Sequence, residues 1–311
     1  MGRGIHMVVF QALTWEARDV EGEHQISIFG KTEEGKSICV TTTFDPYFFV
    51  KLPKGTKPSD VTRLYNDINA LRRDHVTSYS LTKQKDVWGF QNNEEFHFMH
   101  LNFKTLEARR KVNSIFMYNN DFKKYHVYES NIDPVLRLMH RTGIQSTGWL
   151  DTGPNCVRSH LAKTDIDLWC NEWRTLTPVA RDDIAPFVVA SFDIECNSST
   201  GKFPDADVPE DACFQIAISL CKFGNEEPYD KTCFCYKKTD PNLEGSNIIS
   251  FETEKEMLLA FKDYLNKQDI DIMTGWNIFG FDLEYIYKRA AMVGCGLDFY
   301  DLSKLKDREC H

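Results

Sequence analysis

The chain lacks the features that mark membrane-spanning and secreted proteins. Across its 311 residues, no apolar run approaches the roughly 18 residues that a membrane-spanning helix needs. The N-terminus has no apolar signal-peptide core, and His6 stands where the myristoylation pattern requires Ser or Thr. We therefore expect an intracellular protein that makes no contact with a membrane.

Ten cysteines are present, yet no two have the Cys-x-x-Cys spacing that is typical of zinc sites and thiol redox motifs. The closest pair is Cys233 and Cys235, which lies in a strand-like run. Scattered cysteines in such runs behave as small buried hydrophobic residues. We expect reduced, structural thiols, and neither a disulfide framework nor a zinc site.

An excess of positive charge is also missing, because the formal net charge is −9. Residues 181–311 hold 14 Lys and Arg against 25 Asp and Glu, whereas residues 1–180 hold 23 against 21. An acidic half does not favour a broad electrostatic grip on nucleic-acid phosphates. It is compatible with the binding of divalent cations, which prefer carboxylate oxygens.

The length predicts about two domains, and the polar, proline-containing stretch 174–186 is the expected boundary. We assign residues 1–180 to a mixed α/β (α+β) domain and residues 181–311 to an α/β domain. In the first, runs rich in β-branched and aromatic residues predict strands, and an apolar period of three to four residues predicts helices. The predicted strands are 7–17, 25–30, 36–43, 47–52 and 96–103, and the predicted helices are 58–74, 105–116 and 133–142.

The second domain has a clearer order of elements. Strands are predicted at 187–195, 214–222, 231–237, 247–251 and 270–274, with helices at 253–265 and 282–293. The first helix opens on a capping box that begins at Thr253, and Gly294 ends the second. Three strands, a short fourth run, helix, strand and helix is the order expected of a ribonuclease H-like α/β domain.

Two carboxylates end the first strand of this domain, and a third begins its last helix. Asp193 and Glu195 are two residues apart in a strand, so their side chains point to the same face. Like charges this close are costly unless a cation or a proton relieves them. Asp282 starts a helix, whose dipole is expected to favour the ionised form.

These residue types suit the cleavage of phosphodiester bonds by two divalent ions about 3.5–4 Å apart, because Mg²⁺ and Mn²⁺ prefer carboxylate ligands. Taken singly, Asp193 and Glu195 could mark an exposed strand end, and Asp282 could be an ordinary charge at a helix start. Their joint occurrence, in this order and among these elements, favours the cation site.

The motif pair, Asp193-x-Glu195 followed by Asn277-x-x-x-Phe281-Asp282, resembles the first two exonuclease motifs of family B DNA polymerases. Residues 128–132 and 148–150 are similar to the run before the exonuclease domain in delta-type replicative polymerases, and residues 201–204 also match. Residues 275–282 look especially like polymerases of large DNA viruses of algae. The resemblance is strong over residues 125–294 and weaker over residues 1–124.

The resemblance implies a polymerase N-terminal domain followed by a ribonuclease H-like 3′–5′ proofreading exonuclease domain. Asp193, Glu195 and Asp282 would be its catalytic residues and its ligands for Mg²⁺ or Mn²⁺. Asn277 and Phe281 would hold the single-stranded primer end, as an amide can bond phosphate or sugar and a ring can stack a base. From the residues alone, Asn277 could equally be a turn residue, and Phe281 could simply pack in the core.

The resemblance also implies partners and a location. The expected partners are DNA, as primer end and template, together with a sliding clamp and other replication accessory proteins. The expected location is the nucleus, or the nucleus or cytoplasm of an infected host cell if the protein is viral.

The pattern stops short of a complete family member. The third exonuclease motif, Tyr-x-x-x-Asp, should follow Asp282, but within residues 181–311 it occurs only at 236–240, between the first two motifs. The polymerase signature motifs are absent as well. We therefore expect the N-terminal part of a longer polymerase, with an exonuclease domain that lacks one metal ligand and with no primer extension by the chain alone.

Two other classes remain as alternatives: a free-standing 3′–5′ nuclease of the same fold, and a catalytically silent binding or scaffold module. The polymerase-like residues 128–149 argue against the first alternative. The intact carboxylates argue against the second.

Overall fold

The computed structural model describes residues 7–73, 75–154, 156–241 and 244–309. Asp74, the last residue of the helix predicted at 58–74, and His6 lie outside these ranges. In chain order, the first-half elements are β1 (Val9–Val20), β2 (Glu23–Thr32), β3 (Ser37–Thr43), β4 (Tyr47–Lys51), α1 (Pro58–Leu71), β5 (Val76–Lys85), β6 (Glu95–Phe103), α2 (Leu106–Tyr118), β7 (His126–Tyr128), α3 (Pro134–Thr142), β8 (Trp149–Asp151), β9 (Cys156–Arg158), β10 (Ile166–Cys170), a 3₁₀ turn (Trp173–Thr175) and β11 (Thr177–Val179).

The second-half elements begin with the carboxylate-bearing strand. They are β12 (Val188–Cys196), β13 (Cys213–Lys222), β14 (Asp230–Tyr236), β15 (Asn247–Phe251), α4 (Glu254–Gln268), β16 (Ile272–Thr274), α5 (Asp282–Met292) and α6 (Gly296–Phe299). The capping box at Thr253 is formed as predicted, since its hydroxyl accepts from Glu256 N and the Glu256 side chain accepts from Thr253 N.

The first half builds two sheets with separate cores. A seven-stranded sheet has the order β11-β8-β1-β2-β3-β10-β9, and a four-stranded sheet has the order β5-β6-β4-β7. Helices α1 and α2 contribute Val61, Leu64, Ile68, Val112 and Ile115 to the core of the four-stranded sheet. The pattern did not predict β5, because most of its side chains are polar and exposed.

The second half forms a five-stranded sheet in the order β15-β14-β13-β12-β16. Strands β12, β13 and β14 pair antiparallel, whereas β15 and β16 are parallel to their neighbours. Helices α4 and α5 pack on one face of the sheet through residues such as Phe261 and Ile286. This arrangement confirms the mixed α/β class with a ribonuclease H-like second part.

The segment between the two parts is tied to the seven-stranded sheet. Trp149 Nε1 donates to the carbonyl of Asp183 at 2.7 Å, and the buried Lys31 pairs with Asp271 next to β16. Strand β11 ends at Val179 and β12 begins at Val188. The predicted boundary near residue 180 stays a prediction.

Among the described residues, no helix combines the length and apolarity needed to cross a bilayer.

Candidate metal and nucleic-acid site

Strand β12 separates its core residues from its carboxylates by simple alternation. Phe192 and Ile194 are buried against α4 and α5, while Asp193 and Glu195 are exposed on the opposite face. Across the strand pair, Asp193 faces Ala217 and Glu195 faces Gln215, so no cation on β13 neutralises them. Strand β16 pairs with β12 only at residues 189–191, which leaves the edge beside the carboxylates without a strand partner.

The segment 275–281 runs along this open edge and joins β16 to α5. Gly275 lies so close to β12 that an added Cβ would stand 2.5 Å from the carbonyl oxygen of Phe192. Asn277 has a left-handed backbone (φ 53°), and its carbonyl accepts from Gly280 N at 2.9 Å and Phe281 N at 3.0 Å. The backbone of Asn277 therefore makes the turn, and its exposed side chain lies against Gly280.

The turn places Asp282 at the first position of α5, where Asp282 is only 2% exposed. The Asp193 side chain and the backbone of Ile194 lie close enough to the Asp282 carboxyl group to influence its pKa. The Oδ1 atom of Asp282 is buried with no hydrogen-bond partner. Burial, followed by the negative charge of Asp193, raises the pKa of Asp282. The predicted preference of the helix dipole for the ionised form is thus opposed by burial and by the charge of Asp193.

The structure brings Asp193 and Asp282 together, with Glu195 further along the same face. Within the described residues, no group of three His, Cys, Asp or Glu side chains is arranged to hold a metal ion. The two neighbouring carboxylates nevertheless fit a hard divalent cation, because the charge of Asp193 disfavours the ionised form of Asp282 and Oδ1 of Asp282 is buried without a partner. Glu195, exposed on the same face of β12, does not complete a three-ligand group with Asp193 and Asp282.

We expect Asp282→Asn to stabilise the metal-free protein at neutral pH by roughly 1–3 kcal/mol, the range for a buried polar group without its partner. Folded Asp282 holds its proton more tightly than the unfolded chain does, so its charged form costs stability above the folded pKa. That cost disappears as the pH falls through the folded pKa toward the ordinary value of an aspartate. Urea unfolding between pH 4 and pH 7 measures the difference.

The control for this prediction is Glu284→Gln, which removes an exposed carboxylate from the first turn of the same helix. It should leave the pH dependence unchanged. Added Mn²⁺ should stabilise the wild type more than Asp282→Asn, because only the wild type keeps both carboxylates. A metal-free Asp282→Asn protein less stable than wild type at pH 7 would contradict the assigned charge repulsion.

Aromatic side chains surround the turn. The Phe281 ring lies 5.0 Å from the ring of Phe203 and 5.2 Å from that of Tyr285, and it packs partly on the core. The core-packing alternative for Phe281 thus holds in part, because the ring packs against the core and remains partly exposed. Trp276 and Phe279, on either side of Asn277, are 90% and 82% exposed.

The sequence patterns gave no role to Phe203, Trp276 or Phe279. Phe203 is 76% exposed and lies in the loop between β12 and β13, far along the chain from Phe281. The available signals for Phe203 were its place in the matching run 201–204 and the presence of an aromatic residue in a polar segment without apolar periodicity. The role of Phe203 depends on its contact with Phe281, which lies far away in the chain.

The chain matches known proteins throughout these elements. The family model of the DNA polymerase family B exonuclease domain matches residues 125–310. A DNA polymerase of Paramecium bursaria Chlorella virus NY2A is 31% identical over 307 residues, covering 96% of this chain and 33% of that protein. The DNA polymerase delta catalytic subunit of Arabidopsis thaliana is 28% identical over 295 residues, covering 86% of this chain and 26% of that protein.

A structural comparison gives the same fold. The family B DNA polymerase of the hyperthermophilic archaeon Pyrobaculum calidifontis matches with a TM-score of 0.66 and 20% identity, over 95% of this chain and 34% of that chain. The chain thus spans about a third or less of the length of these polymerases. The viral and delta-type matches confirm the resemblance predicted from the motifs, and the chain belongs to DNA polymerase family B, with the exonuclease domain of that family at residues 125–310.

Proposed function

We propose that this chain is the N-terminal and proofreading part of a DNA polymerase, and that it removes mismatched nucleotides from primer 3′ ends by metal-assisted phosphodiester hydrolysis. The buried Asp282 carboxyl group, whose Oδ1 has no hydrogen-bond partner and whose pKa the nearby Asp193 charge helps to raise, carries the proposal. It lies in an exonuclease domain of the matching family, beside a turn rich in exposed aromatic residues.

Each residue has a role that its position supports. Asp193 and Asp282 would hold Mg²⁺ or Mn²⁺ at the open edge of the sheet, and Glu195 would complete the ligand set from the same strand face. When bound, the ions supply a hydroxide nucleophile and neutralise charge on the leaving oxygen. The buried side of Asp282 keeps one carboxylate fixed while the exposed Asp193 remains open to substrate.

The primer end would be held by the turn. Asn277 is exposed, so its side-chain amide can approach a phosphate or sugar, and Phe281 offers the part of its ring that the core leaves exposed. Phe203, packed against Phe281, widens this surface to two rings. Stacking on such rings contributes roughly 1–3 kcal/mol per base and tolerates any sequence, as proofreading requires.

The complete protein would be a DNA-directed DNA polymerase that acts during replication inside the cell or the infected host cell. Its partners would be primer and template DNA, together with a sliding clamp and accessory proteins. The lengths of the relatives support this, since each is about three times as long as the chain or longer.

The experiment that tests the function is degradation of a 5′-labelled single-stranded oligonucleotide by the complete polymerase without nucleotides. We expect a ladder that shortens one nucleotide at a time from the 3′ end, stops with EDTA and resumes with excess Mg²⁺ or Mn²⁺. A parallel 3′-labelled oligonucleotide should release its label as a mononucleotide at once. Internal cuts, or trimming that continues in EDTA, would contradict the proposal.

A further inference from the structure

The loop between β12 and β13, residues 197–212, carries Phe203 to the candidate site. Phe203 is largely exposed, so its own packing cannot fix its position, and the backbone of the loop must do so. Asp211, only 1% exposed, ties the loop to itself, because its two carboxylate oxygens accept from Ser199 N at 2.6 Å and Asp205 N at 2.9 Å.

Arg289 joins this loop to α5, the helix that begins with Asp282. Its guanidinium group is 2% exposed and donates to the carbonyl oxygens of Val208 at 2.7 Å, Ala206 at 3.1 Å and Pro209 at 3.3 Å. One buried side chain thus binds three carbonyl groups in the second half of the loop. A lysine could not do the same, because its single nitrogen lacks the planar fork of arginine.

The same guanidinium group is fixed on its other side by Glu254. Nε and Nη2 of Arg289 donate to the two oxygens of Glu254 at 2.8 and 2.6 Å, and Glu254 also accepts from Cys213 N at 3.0 Å. Tyr285 adds a second tie, since its hydroxyl donates to the carbonyl of Asp211 at 2.6 Å. Helix α5 and the loop are therefore joined by two side chains of one helix.

We propose that Arg289 is a positioning residue for primer-end capture, because it fixes the 197–212 loop to α5 and so holds Phe203 against Phe281. This inference rests on the proposed exonuclease function. Phe281 immediately precedes α5 and Phe203 lies on the loop, so the two rings keep their 5.0 Å spacing only while the loop and the helix stay joined. Neither Arg289 nor Glu254 touches the carboxylates of the candidate metal site.

The test is Arg289→Lys in the complete polymerase, measured on single-stranded oligonucleotides with Mg²⁺. We expect KM to rise by at least about fivefold, the lower end of what a lost stacked base costs, with kcat within about twofold of wild type. An oligonucleotide with 2-aminopurine at its 3′ end should show weaker fluorescence quenching on binding. Arg63→Lys, the same change at an exposed arginine of α1, is the matched control.

A double-mutant cycle with Phe203→Ala separates positioning from simple loss of stability. If Arg289 acts through Phe203, Arg289→Lys should raise KM little further in the Phe203→Ala background. Additive effects on KM would overturn the inference, as would an unchanged KM or a fall in kcat alone. If Arg289→Lys does not fold, Glu254→Gln takes its place in every measurement, since it keeps the side-chain shape and loosens the guanidinium group.

The outcomes also distinguish the two proposals. If the wild-type protein trims no 3′ ends and binds no single-stranded DNA, the proposed function fails. If the wild type does both and the cycle is additive, the function stands and Arg289 has only a structural role.

Discussion

We expect Asp193→Ala to abolish 3′-end trimming in the complete polymerase while primer extension continues. Asp193 is the exposed member of the carboxylate pair, and its removal leaves Asp282 buried without the partner that would share a cation. The rate should fall by at least about 1,000-fold, because each ~1.4 kcal/mol of barrier is a factor of ten and ion-assisted activation of water supplies several such steps. Extension should survive because it would use carboxylates in another domain.

The measurement is single-turnover degradation of a 5′-labelled oligonucleotide, with primer extension assayed in parallel. Asp263→Ala, at an exposed aspartate on α4, is the matched control and should trim at the wild-type rate. If Asp193→Ala shortens 3′ ends as fast as wild type, the assignment of Asp193 fails. If both activities disappear, the protein is misfolded, and Asp193→Asn repeats the test without a change of shape.

We expect Gly275→Ala to have the second-largest effect on the rate of 3′-end trimming, because it displaces the turn without removing a functional side chain. A Cβ at this position would stand 2.5 Å from the Phe192 carbonyl oxygen and 2.5 Å from Cγ2 of Ile278. The turn must therefore move away from β12, which carries Asp193 next to Phe192. Overpacking of this kind costs roughly 1–3 kcal/mol of stability, and a displacement of about 1 Å at a catalytic centre costs roughly 100-fold in rate.

Trimming rate, Mn²⁺ dependence and the free energy of unfolding together measure the effect of Gly275→Ala. A suitable control is Gly224→Asn, since Gly224 has φ 89° and nothing within 4 Å of an added Cβ, and asparagine tolerates left-handed backbone. We expect the control to cost some stability, because a side chain at φ 89° strains the backbone, and to leave the trimming rate unchanged. If Gly275→Ala trims 3′ ends and responds to Mn²⁺ as the wild type does, the close approach of the turn to β12 is not needed for exonuclease activity.

Much of the fold could be predicted because its signals are local. Alternating apolar residues predicted β12 to within one residue at each end, and the capping box at Thr253 predicted the start of α4. Helix α3 ends at Thr142, the predicted last residue, and Gly143 follows it with a left-handed backbone. In contrast, strands β8 to β11 are only three to five residues long, too short to show an apolar period. They form because their backbones hydrogen-bond to neighbouring strands of the seven-stranded sheet.

The family, and the positions of Asp193, Glu195 and Asp282 in its motifs, could be predicted because residue type and spacing along one strand or one turn are properties of the chain. The burial of Asp282 near Asp193, which raises its pKa although it begins a helix, depends on contacts between segments that are distant in the chain. Only the tertiary structure brought Phe203 to Phe281 and Arg289 to the loop carbonyls. Periodicity reports which face of an element is buried, whereas contacts between distant segments depend on how those faces pack together.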